Sequence, residues 1–330
     1  MSRPVARLVR DAAELAALEP AWWALWRRSP GATPFSSPAW LLPWWEAFAP
    51  GPLAAVAVEA GPRLVGLGAF WLEDGRHGPR LLPLGLGISD HTDVLVDPHA
   101  AEAGAALVEA VAALPGWDKW ELEELPPDAA ALRLAAAPGW AEQAVDQTAC
   151  PVLDLAGPEP VPSRQRRKLR MSRHRAERRG LEILDLAAEA ADPCAPASYL
   201  AELARLHGAR WAERGEDGLL AAEPVRRFHA LALPRLLAAG LAWPLALRIE
   251  NRVAGAAYLL RDDRAAYAYL GGFDPDFAFE SPGTILIGHA IERAREAGLA
   301  RFSFLRGREP YKYAWGAADV LNRHRRLVRP

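Results

Sequence analysis

The sequence predicts an α+β (mixed α/β) protein made of two similar domains, each a mixed sheet flanked by helices. Three observations carry that expectation: a length of 330 residues, a meander of apolar strands written twice, and an amphipathic helix with a further strand accompanying each copy. Hydrophobic residues make up 51% and charged residues 24%, the balance of a folded chain with a large core rather than a disordered one.

In the front half, Leu53 to Glu59 reads as a strand, Gly61-Pro62 as a turn, Arg63 to Leu72 as a second strand and Arg80 to Leu86 as a third. The back half repeats the order with Leu245 to Glu250, Asn251-Arg252, Val253 to Leu260, and Ala265 to Leu270 after Asp262-Asp263. Setting RLVGLGAFWLED against RVAGAAYLLRDD places Arg63 over Arg252 and Gly66 over Gly255. A helix and a strand accompany each meander: Ala101 to Leu114 with Lys119 to Leu122, and Thr284 to Ala297 with Arg301 to Leu305. Strands draw on a small alphabet, so chance likeness competes with duplication. The expected domains are 1–150 and 151–330, with the junction among the prolines between Pro138 and Pro162.

The copies differ at the start of the helix. Ser281 reads as an N-cap, Pro282 as the first helical residue, and Gly283 as a place where a ligand can approach backbone, so free N–H groups are expected to face an anion. The front copy has DPHAAEAGAA there and lacks the Ser-Pro-Gly start. The Trp groups Trp22, Trp23, Trp26 and Trp40, Trp44, Trp45 recur at helical spacing, which suits core packing better than sugar stacking.

Charge is local rather than global. The formal net charge is -2, yet SRQRRKLRMSRHRAERRG (163–180) sets nine basic residues, Arg170 among them, against the single acid Glu177. The run is either a solvated helix or an anion site for phosphates of a cofactor, a nucleotide-linked sugar or RNA. Lysine occurs only at Lys119, Lys168 and Lys312 in a chain that otherwise uses arginine. An ammonium kept between Tyr311 and Tyr313 is either a residue whose compact, tunable head group is needed, or a surface lysine without a role. Cys150 and Cys194 stand apart, and the histidines make no ligand pattern, so neither a disulfide nor a metal is expected. The first residues have no apolar signal core and no segment offers an uninterrupted apolar span, which reads as cytoplasmic with no membrane span.

The pattern DPDF, SPGT, GHAIE and FSFLRGREPYKYAWG, with the Arg-rich helix, HGARWAERGEDG, ATPFSSPAWLLPWWEAF and LGLGISDHTDVLVDP, resembles the CelD-like, BioF-related acetyltransferases of the GNAT superfamily across nearly the whole chain. It is similar, more distantly, to the Fem aminoacyltransferases. The resemblance implies two tandem GNAT-like domains and acyl transfer from acetyl-CoA or another acyl-CoA to a small-molecule amine or amino-sugar acceptor, in exopolysaccharide or cell-envelope synthesis. It implies a donor loop at Ser281, Gly283 and Thr284, with the front domain lacking one, and backbone contacts from the strand ending in Gly271 and Gly272. The usual loop begins with Arg or Gln and has two spaced glycines, a pattern this chain does not show. The Fem likeness places Lys312 in a segment that assists transfer, and makes charged tRNA an alternative donor. A non-catalytic scaffold is the other reading.

Acyl transfer needs a base, oxyanion donors and an acid for the leaving group. Lys312 is the candidate oxyanion donor or acid, Asp274, Glu280 and Glu309 are base candidates, and Tyr311 is a proton donor. Asp274 equally suits a cap of the Asp-Pro-Asp turn. Tyr267, Tyr269 and Trp211 are candidates to line the acceptor site. Asp90, His91 and Asp93 form a second acceptor candidate or a solvated turn.

Overall fold

The computed structural model describes residues 3–75, 78–100, 102–187, 195–212, 215 and 217–330. Cys194 and part of the 207–218 motif lie outside them. The chain divides into two units, Met1–Thr148 with Val320–Pro330, and Ala149–Asp319.

Unit 1 begins with β1 (Val5–Val9), α1 (Ala12–Ala17), α2 (Glu19–Arg28) and α3 (Pro38–Phe48), then β2 (Ala55–Ala60) and β3 (Arg63–Gly68). The order continues through β4 (Phe70–Gly75), β5 (Gly78–Pro83), β6 (Leu95–Val96), α4 (Ala103–Ala113) and β7 (Lys119–Leu125). β8 (Ala141–Asp154) runs through the boundary between the units. β1, β2, β3 and β6 pair antiparallel in that order. The expected second strand is two: the ring of Phe70 folds back onto Gly68, a side chain there would strike it, and the chain leaves one ladder for another at Ala69. β4 pairs antiparallel with β5, and β5 parallel with β7. α4 buries Leu107, Val108 and Val111 in the core with Trp117 and Trp120. Trp22, Trp40 and Trp44 are buried too, so helical tryptophan spacing marks core here.

Unit 2 contains α5 (Ser163–Glu177), β9 (Glu182–Asp185), α6 (Ala195–Ala212), α7 (Glu223–Ala238), β10 (Ala242–Ile249), β11 (Arg252–Arg261) and β12 (Ala265–Phe273). α8 (Pro282–Glu296), β13 (Arg301–Ser303) and α9 (Pro310–Ala314) follow, and β14 (Ala318–Val328) carries the chain back to unit 1. β9 to β12 are antiparallel neighbours, β12 and β13 run parallel, and β13 pairs with the end of β8. α8 buries Ile285, Leu286, Ala290, Ile291 and Ala294 and exposes Glu292, Arg293, Arg295 and Glu296, as its periodicity predicts.

The repeat holds at the level of single hydrogen bonds. In unit 1 the ladder skips after Val58↔Gly66; in unit 2 it skips after Leu247↔Gly255. The carbonyls left out of the ladder, Val65 O and Ala254 O, accept the N–H of Asp97 (2.8 Å) and Asp274 (2.9 Å). Asp97 pairs with Arg63 and Arg28; Asp274 pairs with Arg252 and Arg205. Arg28 also donates to Leu64 O and Arg205 to Val253 O, both at 2.9 Å. The front counterpart of Asp274-Pro275 is therefore Asp97-Pro98.

Candidate active site

In unit 2, β12 and β13 pair over only three residues, Ala265↔Arg301, Ala266↔Phe302 and Tyr267↔Ser303. β12 then continues to Phe273, while the other chain follows the end of β8, with Phe304 N–H on Pro151 O and Gly307 N–H on Ala149 O. The parallel strands part like a wedge. The β11–β12 ladder skips Tyr269, between Leu259↔Ala268 and Tyr258↔Leu270, so β12 bulges just past the last shared pair. Backbone polar groups along an opened strand are available to an extended ligand.

Lys312 holds one side of this wedge. Its ammonium is buried, 3% exposed, and donates to Leu305 O (3.2 Å), Arg306 O (2.6 Å) and Gly307 O (3.1 Å), with Glu309 Oε2 at 2.9 Å. An ammonium has three protons, and three carbonyls face them. Leu305 (φ 56°) and Gly307 (φ 105°) are in the left-handed region, so the lysine clasps a reversed, strained loop. Glu309 is the N-cap residue of α9. Tyr311 is 42% exposed with its ring against Phe304, and Tyr313 donates to Asp319 at 2.6 Å. The sequence-predicted Lys312, Glu309 and Tyr311 thus lie together at the start of α9, with the ammonium turned to the carbonyls of the loop before it.

The other candidates fall elsewhere. Asp274 caps its turn, with Oδ1 accepting Asp276 N–H at 3.1 Å, and its second oxygen meets Arg252. Glu280 is buried against Arg179 at 2.8 Å. Gly272 receives the backbone of α6 at Leu206 and His207 so closely that a side chain would collide, and Gly271 lies over Ala256 O. Tyr267 donates to Asp262 at 2.7 Å and secures the β11–β12 turn. Tyr269 is half-buried beside Tyr258 and His229, whose ring burial drives down to a pKa of about 3. Trp211 donates to His207 Nε2 at 2.9 Å.

The start of α8 departs from the expected anion cradle. Ser281 is the N-cap residue but sits at φ 56° and turns its hydroxyl to Ala278 O. Pro282 has no N–H, Thr284 and Ile285 N–H both bond Ser281 O, and only Gly283 N–H is left in the first turn. A Cβ on Gly283 would meet nothing nearer than Phe273 at 3.7 Å, so space does not demand glycine there. Arginine side chains crowd nearby instead. α5 packs on α8, with Leu169 filling the place a side chain at Gly288 would take, and a groove of about 200 Å³ opens beside Ser281. Arg164, Arg167, Lys168, Met171, Ser172 and Arg175 line it, a face at i, i+3, i+4, i+7, i+8 and i+11. Arg170 is exposed on a different face of the helix and does not line the groove. The basic run signalled this feature; which face met a groove was not readable from it.

In unit 1, Asp90, His91 and Asp93 are buried or half-buried rather than a solvated turn. Asp93 accepts the N–H groups of Val94, Ala130 and Ala131 at 2.7–2.8 Å, and burial pushes its pKa up to about 7. Asp90 O accepts from Asn322, whose amide also donates to Glu124, and His91 stands edge-on to Phe35. Among the described residues, no cluster of three His, Cys, Asp or Glu could hold a metal ion, and no helix is long and apolar enough to cross a membrane.

No curated protein matches the chain in sequence. Its fold is similar to that of FemX (TM-score 0.68, 11% identity, covering 93% of this chain and 95% of that one). It is similar to L-PGS from Bacillus licheniformis (0.62, 13%, 94% and 91%). The C-terminal domain of a putative lysylphosphatidylglycerol synthetase from Agrobacterium fabrum gives 0.60 at 15% identity, covering 97% and 93%. Residues 163–313 match the family described as Acetyltransferase (GNAT) domain, a stretch that spans α5, the parting strands and Lys312, and the match supports an N-acyltransferase.

Proposed function

We propose that unit 2 transfers an acyl group from a thioester of the coenzyme A type to the nitrogen of a small amine. The observation that carries this reading is the wedge between β12 and β13, which leaves the bulged strand open beside the start of α8. A bound thioester supplies an activated carbonyl and a thiol leaving group. β12 beyond Tyr267 offers backbone N–H groups as fixed donors to a carbonyl oxygen, needing no reorganisation as charge grows there. Lys312 acts as a positioning residue: by gathering three carbonyls it fixes the loop that forms the far wall. Tyr311, exposed on α9, is a candidate proton donor on that side, and Glu309 balances the buried ammonium. Tyr269, at the bulge, faces the acceptor side with His229 held neutral behind it.

Unit 1 serves in this reading as a GNAT-like partner without a donor site, since its parting strands β5 and β7 end in the buried network of Glu124, Thr148 and Asn322. The CelD-like resemblance supports an acceptor from exopolysaccharide or envelope synthesis. The test is thiol release from acetyl-CoA with a panel of amines and amino sugars. Lys312→Met should lower kcat by about 10²-fold with KM for the thioester little changed, the sign of a lost wall rather than lost binding. Amine-independent thiol release, or full activity in Lys312→Met, would remove the proposal or the lysine's part in it.

A further inference from the structure

We infer that the groove face of α5, with Arg164, Arg167, Lys168 and Arg175, binds the phosphates of the acyl donor, in place of the amide cradle that the start of α8 does not provide. This rests on the reading of unit 2 as a thioester-dependent transferase. Three observations lead to it. First, acids neutralise part of the basic run: Arg166 meets Glu159, Arg173 meets Glu292, and Arg179, just beyond α5, meets Glu250 and Glu280, while Arg170 stays exposed on another face. Arg164, Arg167 and Lys168 have no acidic partner among the described residues, and all three line the groove.

Second, the arrangement opposes helix stability. Cations at 164, 167 and 168 repel at i, i+3 and i, i+4, and Arg164 sits in the first turn of α5, where the dipole favours acids and none is present. An anion in the groove reverses the sign of both effects. Third, Ser172 is 2% exposed, lines the groove, and has no hydrogen-bond partner among the described residues. Its Oγ keeps access to the groove, where an acceptor oxygen can take the hydroxyl proton.

A groove of about 200 Å³ has room for a compact diphosphate. The basic face runs from Arg164 to Arg175, about 16 Å at the helical rise, long enough for a second, separate phosphate of the same donor. Gly283 N–H, the one free amide of the α8 start, and Ser281 at the groove rim complete the site.

The test is titration calorimetry on the full chain with coenzyme A, pantetheine, inorganic pyrophosphate and a short single-stranded RNA. The variants are Arg167→Gln/Lys168→Gln and Ser172→Ala. The proposal expects the double variant to bind coenzyme A at least about tenfold more weakly with a flatter salt dependence, while its weaker binding of pantetheine, which has no phosphates, stays as in the parent. Pyrophosphate should compete with coenzyme A in the parent, and Ser172→Ala should lose about threefold. Equal binding of coenzyme A by parent and double variant overturns the groove assignment and leaves the thioester reading standing. Failure of the parent to bind either coenzyme A or pantetheine overturns both. RNA binding that is tighter than coenzyme A and lost in the double variant overturns the small-donor assignment.

Discussion

The two units tie the same knot and then use it differently. In each, an arginine from a preceding helix and the first arginine of a strand converge on an aspartate whose N–H caps the skipped carbonyl of a bulge. Unit 1 draws it tighter: Arg28 reaches Asp97 at 2.8 Å with the carboxylate 1% exposed, whereas Arg205 stands 3.7 Å from Asp274, which is 9% exposed. Beyond the knot the units part. Unit 2 adds α5 against α8 and clasps its strand end with Lys312; unit 1 has Glu124, at φ 55°, fixed by Thr148 and Asn322. A shared scaffold thus holds the bulge in both, and the differences gather where the parallel strands separate, the place a ligand would enter.

The comparison breaks most readily at the knot itself. Asp97→Ala removes the charged hydrogen bonds of a carboxylate 1% exposed from Arg28, Arg63 and the His99 N–H and should cost about 3 kcal/mol in urea unfolding. Asp274→Ala removes looser charged hydrogen bonds and should cost about 1.5–3 kcal/mol. An equal or reversed order would show that the two knots are not alike in kind. Next in size is the seat of α5, which unit 1 has no counterpart for. Gly288→Ala places a methyl group 2.5 Å from Leu169 Cδ2 and should destabilise by about 1–3 kcal/mol, with Leu169→Ala beside it recovering part of the loss. Gly283→Ala, with open space, serves as the near-neutral control; a large loss there would point to an unseen constraint on the α8 start.

A further difference concerns pH and Asp93 of unit 1. Burial raises Asp93 to about 7 in the folded chain, against about 3.9 unfolded. Between those values the folded state binds more protons, so this residue's contribution to stability falls as pH rises from about 4 to 7. Asp93→Asn removes that slope, and the variant's Tm relative to the parent should be higher at pH 8 than at pH 5. Asp97 works with the opposite sign. Burial raises its pKa, but the His99 N–H and the Arg28 guanidinium outweigh that and hold it below the usual value, so its stabilisation is present above about pH 4 and lost on further acidification.

Much of this was legible in the chain because it is local. The strand order, the pairing of Arg63 with Arg252 and of Gly66 with Gly255, and the buried face of α8 all follow from periodicity and turn chemistry. Asp97-Pro98 was within reach of the same reading but was set against Ser281-Pro282 instead, because the Asp-Pro pairs look like ordinary turns until their arginines are seen. Three features were not legible. LNRHRRLVRP drew no strand expectation, yet all but its last two residues lie in β14, and Arg325 in it is 2% exposed with Ala131 O, Leu134 O and Glu142 as partners far away in sequence. Ser281 and Leu305 take left-handed backbone that neither residue type favours. Lys312 looked like a reagent because it stands alone among arginines; its compactness is what lets one head group reach three converging carbonyls.

The return of β14 to the first unit has a consequence for how the chain is made. β7 lacks its antiparallel neighbour until residues 323–328 exist, so an edge of apolar and acidic residues made early must stay unpaired while the whole of unit 2 is translated. Unit 2, whose strands β9 to β13 are complete by Ser303, can close first. The half begun first can therefore complete its sheet only after the other half has been made.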